Sequence, residues 1–332
     1  MVFKKMLGAF GIGAPSVDTV LSNPNTRPGL LLAGQVNLTG GSHDVEIDHV
    51  VVGLVTRVEV DGTQGDRDVA FEFHRAPVAS GLRLAQGQQL ALPFQLPMPF
   101  QTPVTTIYGQ ELPGITVGLR TEVAVRGAVD KGDLDAVQVH PLPVQERVLE
   151  AFGQLGFRFK GADLERGQIA GAHQSLPFHQ GIAYFAAPQY AHGVHEVELT
   201  FLTDEQGVDV LLRLDRRAGL NPFGHGSAGC YRAAHADTNR LDWAVEVDRW
   251  LREALERHAA QHPAPGYGQP IPGQPAYGGH QEQHERRGPG MGAVAAGVVG
   301  GEALGLAGGM IADEVFDSFG GDEDDDGGAD DE

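Results

Sequence analysis

Residues 119–141, LRTEVAVRGAVDKGDLDAVQVHP, restrict the fold of this chain more than any other stretch. Thr121, Val123 and Val125 alternate with Glu122, Ala124 and Arg126, the period of a strand with one buried face. Asp130, Lys131, Gly132 and Asp133 supply turn chemistry: a glycine for positive φ and short carboxylates that bond nearby backbone. Residues 136–139 resume the alternation, and His140-Pro141 stops it, because a proline restricts the residue before it. Two half-buried strands joined in this way belong to an antiparallel sheet. Directly after Pro141 the pattern changes, so the stretch is a seam.

Before the seam, short alternating runs are separated by Gly, Pro, Asn and Asp, the spacing of an all-β sandwich. SVDTVL opens it, residues 30–39 follow, and residues 45–60 form a long run rich in β-branched residues. A hairpin loop at residues 61–66 leads into DVAFEFHRAPV. Pro93 and Pro97 place residues 90–97 at a sheet edge, since each removes a ladder donor. No helix of normal length fits before Pro141.

After it, Val144, Val148, Leu149, Phe152 and Leu155 recur at helical spacing, with Gly156 where a C-terminal cap belongs. Strand patterns return at residues 156–164, 176–185, 194–202 and 208–214, the last two joined by an Asp204–Gly207 turn. Residues 218–232, AGLNPFGHGSAGCYR, read as a glycine-rich loop. Residues 239–258 read as a helix with Leu241, Val245, Leu251 and Leu255 in its apolar stripe. The expected organisation is a first β-sandwich over 1–141, and then a connecting helix, second sandwich and closing helix over 142–258. A disordered Pro/Gly/Gln linker over 259–290, a glycine-zipper-like helix over 291–319 and an acidic tail over 320–332 follow.

Charge narrows the partners. The formal net charge of −20 argues against nucleic acid, and eight acidic side chains sit in the last thirteen residues. The single cysteine, Cys230, excludes an internal disulfide framework and fits a reducing compartment. The first residues lack an A-x-A cleavage pattern and read as cytoplasmic.

Several segments together resemble one family. KKMLGAFGIGAPSVDTVL, FQLPMPFQTPVT and LRTEVAVRGAVDKGDLDAVQVHPLP leading into VLEAFGQLGF are similar to the bacterial sporulation-control family SpoOM. VELTFLTDEQGVDVLLRLDRR and HADTNRLDWAVEVDRWL extend the resemblance, which covers roughly residues 2–258. It implies an arrestin-like fold of two tandem immunoglobulin-like β-sandwiches. It also implies a non-enzymatic scaffold or regulator that binds proteins in sporulation or cell-division control, without a cofactor.

No motif on the chain argues for catalysis. Residues 224–229 satisfy G-x-G-x-x-G, but Asn221-Pro222 precedes them and no helix pattern follows directly, so a loop is the better reading than a nucleotide site. His192, His195, Glu196 and Glu198 lack the paired chelating spacing of a closed metal site. Asp130, Asp133 and Asp135 lack the glycine and distal glutamate of a calcium loop. No nucleophile stands at a recognisable spacing from a base. The tail is more suggestive. Gly297, Gly301, Gly305 and Gly309 fall on one helical face, the packing of closely approaching helices. Phe3, Lys4 and Lys5 open a short amphipathic start that either packs on the first sandwich or contacts a membrane; taken as a membrane contact, it joins the glycine helix in an alternative reading as a membrane-associated, self-assembling protein. Glu302 and the acidic tail weigh against a true span.

Overall fold

The computed structural model describes residues 14–60, 67–127, 130–192, 194–214 and 227–261. In the first half it runs β1 (Ser16–Leu21), β2 (Asn25–Thr26), β3 (Leu31–Thr39), β4 (Val45–Val60), β5 (Arg67–Leu84), β6 (Gln89–Pro97), β7 (Thr106–Ile107), β8 (Gln110–Glu111), β9 (Val117–Val125) and β10 (Lys131–Val139). The second half runs α1 (Pro143–Gln154), β11 (Arg158–Arg166), β12 (Phe178–Phe185), β13 (Glu196–Thr203), β14 (Gly207–Leu214), β15 (Ser227–Ala234) and α2 (Trp243–Gln261). The mainly β class with two amphipathic helices, expected from the sequence, is the observed one.

In the first half a three-stranded sheet, β1-β3-β6, faces β5-β4-β9-β10. Period-2 alternation supplies the core between them: Leu32, Val36, Leu38 and Leu96 from one sheet, Ile47, Leu54, Leu119 and Val123 from the other. Two threonines tie the sheets together, with Thr19 Oγ1 2.7 Å from Thr121 Oγ1. Asp133 Oδ2 accepts the Thr19 backbone N–H at 2.7 Å.

The β4–β5 hairpin is long enough to serve both halves. β9 occupies one side of β4 from Ile47 to Thr56; beyond it, Glu59 pairs in parallel with Glu165 of β11. One sheet therefore continues into the antiparallel meander β11-β12-β13-β14-β15. A second core lies on one face of that meander. It is closed by α1, α2, the β7–β8 segment (Ile107, Leu112, Ile115) and the far end of the β4–β5 arm, where Phe71 and Phe73 meet Phe178 edge-on at 5.8 and 5.7 Å.

α1 begins at Pro143, which needs no N–H partner there, and Gln145 Oε1 accepts the Leu142 N–H at 2.7 Å. The chain leaves α1 through Gly156 at φ +85°, as its position indicated.

Three expectations are corrected. The turn before β10 lies earlier than Asp130–Asp133, at Gly127 with φ +73°. Gly132 is a strand residue opposite Glu122, where a Cβ would stand 2.9 Å from the Thr121 carbonyl; it serves close approach rather than a turn. Residues 227–232, read as loop, belong to β15, because pairing with β14 overrides a glycine-rich local pattern. In α2 the buried stripe is Trp243, Val247, Trp250, Leu251 and Ala254, whereas Val245 is exposed and Leu241, also exposed, precedes the helix. The two large indoles set the phase.

Candidate functional site

The outward face of the second-half meander carries charge that is largely shielded from solvent: Glu165, His179 and Glu198 are buried, Asp163 and Arg213 partly so. On β11, β12, β13 and β14 the residues that alternate with the core place Asp163, Glu165, His179, Gly181, Glu198 and Arg213 on one face, with Glu165 opposite His179 and Glu198 opposite Arg213. Arg213 Nη1 lies 2.9 Å from Glu198 Oε1 and 3.8 Å from Glu165 Oε2, and His179 Nε2 lies 3.6 Å from Glu165 Oε2. Gly181 makes room for this. A Cβ there would stand 2.8 Å from Asp163 Oδ1 and 3.1 Å from the Glu198 carboxyl carbon. Arg213 is the cation shared by two carboxylates that would be costly to bury unpaired, and the cluster bridges four strands. Among the described residues, no group of three or more His, Cys, Asp or Glu is arranged to hold a metal ion.

A second network lies half-exposed on β4, β5 and β9. Arg75 contacts Glu72 at 3.2 Å and Glu122 at 3.0 Å, Arg120 contacts Glu72 at 3.0 Å, and His49 Nε2 lies 3.4 Å from Glu122. Burial pushes the Glu122 carboxyl up, but bonds from His49 and Arg75 and the charge of Arg120 outweigh it and hold it below its ordinary value.

Side-chain amides stitch the two halves. Gln180 receives the Val104 N–H on its carbonyl (3.0 Å) and donates to the Val104 carbonyl (2.8 Å). Gln101 treats Ser175 and His173 in the same way, at 2.7 and 2.8 Å. His140 sits between Thr106 and Asn25, each 2.9 Å from a ring nitrogen. Arg27 reaches the Pro141 carbonyl and Glu146 of α1. An open groove of about 340 Å³ lies between α1 and the approach to α2, lined by Arg147, Glu150, Asn239, Leu241 and Trp243 among others.

One partly open strand edge lies on β11. This strand pairs with β12 along its length but with β4 only at Glu165, so among the described residues its first half has one open side. Arg158, Phe159 and Lys160 are exposed, and the register shifts between Phe159 and Gly161. Phe159 is 42 % exposed, edge-on to Tyr184 on the core side. Across the strand Phe185 is 41 % exposed, with Arg158 and Lys160 5.7 and 5.8 Å from its ring centre. Lys160 also pairs with Glu196 at 2.6 Å.

The residues singled out in the sequence fare differently. Gly297, Gly301, Gly305, Gly309, Phe3, Lys4 and Lys5 lie outside the described residues, as do the hairpin loop at 61–66 and Gly224 to Gly226. Gly229 is a β15 residue opposite Leu212. Glu196 and Glu198 share a face of β13, Glu196 serving Lys160 and Glu198 serving Arg213. Asp133 is tied to Thr19. Partial burial, reinforced by Asp209, pushes the Cys230 thiol up, away from nucleophilic character. The buried cluster was not anticipated. Its signal was available as Asp163/Glu165, His179, Glu198 and Arg213 at alternate positions of consecutive strands, but it emerges only once those strands are in register.

Among the described residues no helix is long and apolar enough to cross a membrane. A family model described as SpoOM protein matches residues 3–218. A relative, the sporulation-control protein spo0M of Bacillus subtilis (strain 168), is 32% identical over 268 residues, which cover 77% of this chain and 98% of the relative. The crystal structure of Spo0M from Bacillus subtilis matches with a TM-score of 0.65 at 28% identity, over 75% of this chain and 100% of that one. The family model spans more than half of the chain and the relative matches over most of both lengths: this chain belongs to the SpoOM protein family.

Proposed function

We infer that this protein is a cytoplasmic, non-enzymatic regulator in sporulation or cell-division control, acting as an arrestin-like scaffold that binds a protein partner. The family membership supports the regulatory role. The observation that carries the mode of binding is the open side of β11. An extended segment of a partner adds there as a further strand, its backbone bonding the free edge. Its alternate side chains meet Phe159 on one face and the Arg158–Phe185–Lys160 group on the other, which suits an apolar segment with an acidic residue. The irregularity at Lys160 and its charge keep that edge from pairing indiscriminately. The remaining described seams, clamped by Gln101, Gln180 and Arg27, hold the edge in a fixed place relative to the first half.

The test is complementation of a strain lacking this protein with Phe159→Asp and Lys160→Glu, alongside melting curves of both purified variants. The reading expects wild-type melting with loss of the developmental phenotype. Full complementation by well-folded variants removes the β11 edge from the mechanism. Turnover of a substrate by the purified chain without any partner removes the non-enzymatic reading.

A further inference from the structure

The outer face of the β1-β3-β6 sheet is unusual for so acidic a protein. Its side chains are those of Ser16, Asp18 and Val20 on β1 and the alternate positions running from Leu31 to Thr39 on β3 and Gln89 to Pro97 on β6. Asp18 is the one charge among these thirteen positions, although 20% of the chain is Asp, Glu, Lys or Arg. A solvated surface ordinarily carries about 25–35% charged residues. The face is instead divided between small apolar groups and uncharged amides and hydroxyls. Across the sheet, Val20, Gln35 and Pro93 form one row, and Leu31 and Pro97 another. Val20 and Leu31 are 48% and 57% exposed, and neighbouring Leu30 is 52% exposed.

We propose that this face is where two copies of the chain meet. The charge distribution selects that occupant. With a net charge of −20, a copy approaching most other surfaces meets its own sign, and here that repulsion is least. The chemistry of the face is also self-complementary. An amide carries both donor and acceptor, so Gln35 and Gln95 can each pair with their own symmetry mates across a two-fold axis, which a charged group cannot do. Gln35 is already oriented by its bond to Asn37 at 2.9 Å. The contact is face to face rather than edge to edge, because Pro93 and Pro97 remove two donors from the free edge of β6 and Asp133 takes the Thr19 N–H on the free side of β1. Two nine-residue strands and one of six give a patch of at most roughly 30 by 15 Å. That is below the about 800 Å² per partner of a standard interface, so the dimer is weak and reversible.

Sedimentation velocity on the full chain over a wide concentration range tests this. The expected result is a monomer–dimer equilibrium that tightens as salt rises, since salt screens the mutual repulsion. Leu31→Glu and Gln35→Glu, each placed on the outward face, are expected to weaken it at least tenfold while melting as the parent does. Val245→Glu, an equally exposed change on α2, is expected to leave it unchanged. A chain that stays monomeric throughout overturns the proposal, as does association indifferent to both face variants. So does association abolished by removing residues 262–332, which would assign assembly to the C-terminal segment. Dimerisation that appears only after removal of residues 2–13 would show the face covered by the chain's own start, and overturns it as well.

Discussion

The two cores of this protein are filled in different ways. Between the sheets of the first half the filling is almost wholly aliphatic: among the described residues seventeen are buried there, Leu54, Leu119, Val36 and Ile47 among them, with a single ring, Phe94. In the second half rings dominate the contact between helices and sheet: Phe152 lies 5.0 Å from Phe157 and from Tyr184, and Tyr231 stacks on Trp250 at 5.1 Å. Two pleated sheets interdigitate as a slab of even thickness, which branched aliphatic chains fill. Helical cylinders against a twisted sheet leave wedges, and large flat groups fill those. Rings also bring polar ends that need partners. Tyr231 donates to the Trp250 carbonyl, Trp243 to the Thr238 carbonyl and Trp250 to Glu246, at 2.7, 3.0 and 2.9 Å. The first half therefore spreads its stability over many small groups, and the second concentrates it in a few.

The sharpest way to break this comparison is to empty one core and ask whether the other notices. Trp250→Ala is expected to cost ~3–5 kcal/mol and Leu54→Ala ~2–5 kcal/mol. Both indoles of the chain, Trp243 and Trp250, lie in α2, so fluorescence reports the second half while circular dichroism reports both. Because β4 supplies Leu54 to one core and Val58 to the other, the two probes are expected to give coincident denaturation curves in wild type and in Leu54→Ala. Separated curves would mean that the shared strand does not couple the halves.

Next in size is the buried charge cluster, which has no counterpart among the described residues of the first half. Arg213→Met leaves Glu198 and Glu165 facing each other without their shared cation and is expected to cost ~3 kcal/mol. Adding Glu198→Gln should restore much of the loss, as read by chemical denaturation. An additive double variant would show that the two side chains do not act together.

A smaller effect belongs to the first half's own polar tie. Asp133→Ala removes the acceptor of the Thr19 N–H and is expected to cost ~1–2 kcal/mol. Hydrogen exchange at Thr19 should rise before exchange in β9 does, because β1 is held by β3 on one side only.

How much of this was legible follows the same division. Alternation in SVDTVL and in residues 45–60 announced β1 and β4, and Pro93 and Pro97 announced the edge, since local sterics decide both. The spacing of Val144, Val148 and Phe152 announced α1. What stayed hidden depends on partners distant in sequence. β15 exists through pairing with β14 despite its glycines, and the phase of α2 is set by what its indoles fit against. The open side of β11 was hidden for the same reason: no local pattern says which strand a β11 residue lacks as a neighbour.

The turn between β13 and β14 was legible, and it gives the smallest and cleanest test. Asp204 Oδ1 accepts the N–H groups of Gln206 and Gly207 at 2.7 and 3.0 Å and binds Arg232 at 2.6 Å. The Arg232 bond, opposed by slight burial and helped by the two N–H donors, holds the Asp204 carboxyl down at about 2. An unfolded aspartate titrates near ~3.9. The folded form is thus the weaker proton binder, and the contribution of Asp204 is complete above that unfolded value and is lost as pH falls toward 2. Solvent screens an exposed pair, so the slope is shallow. Melting curves across that window should fall less steeply for Asp204→Asn than for the parent, with the two closest at the acid end. Equal slopes would mean that the loop is held by its backbone alone, and that the turn read from the sequence owes its stability to Gly207 rather than to the carboxylate.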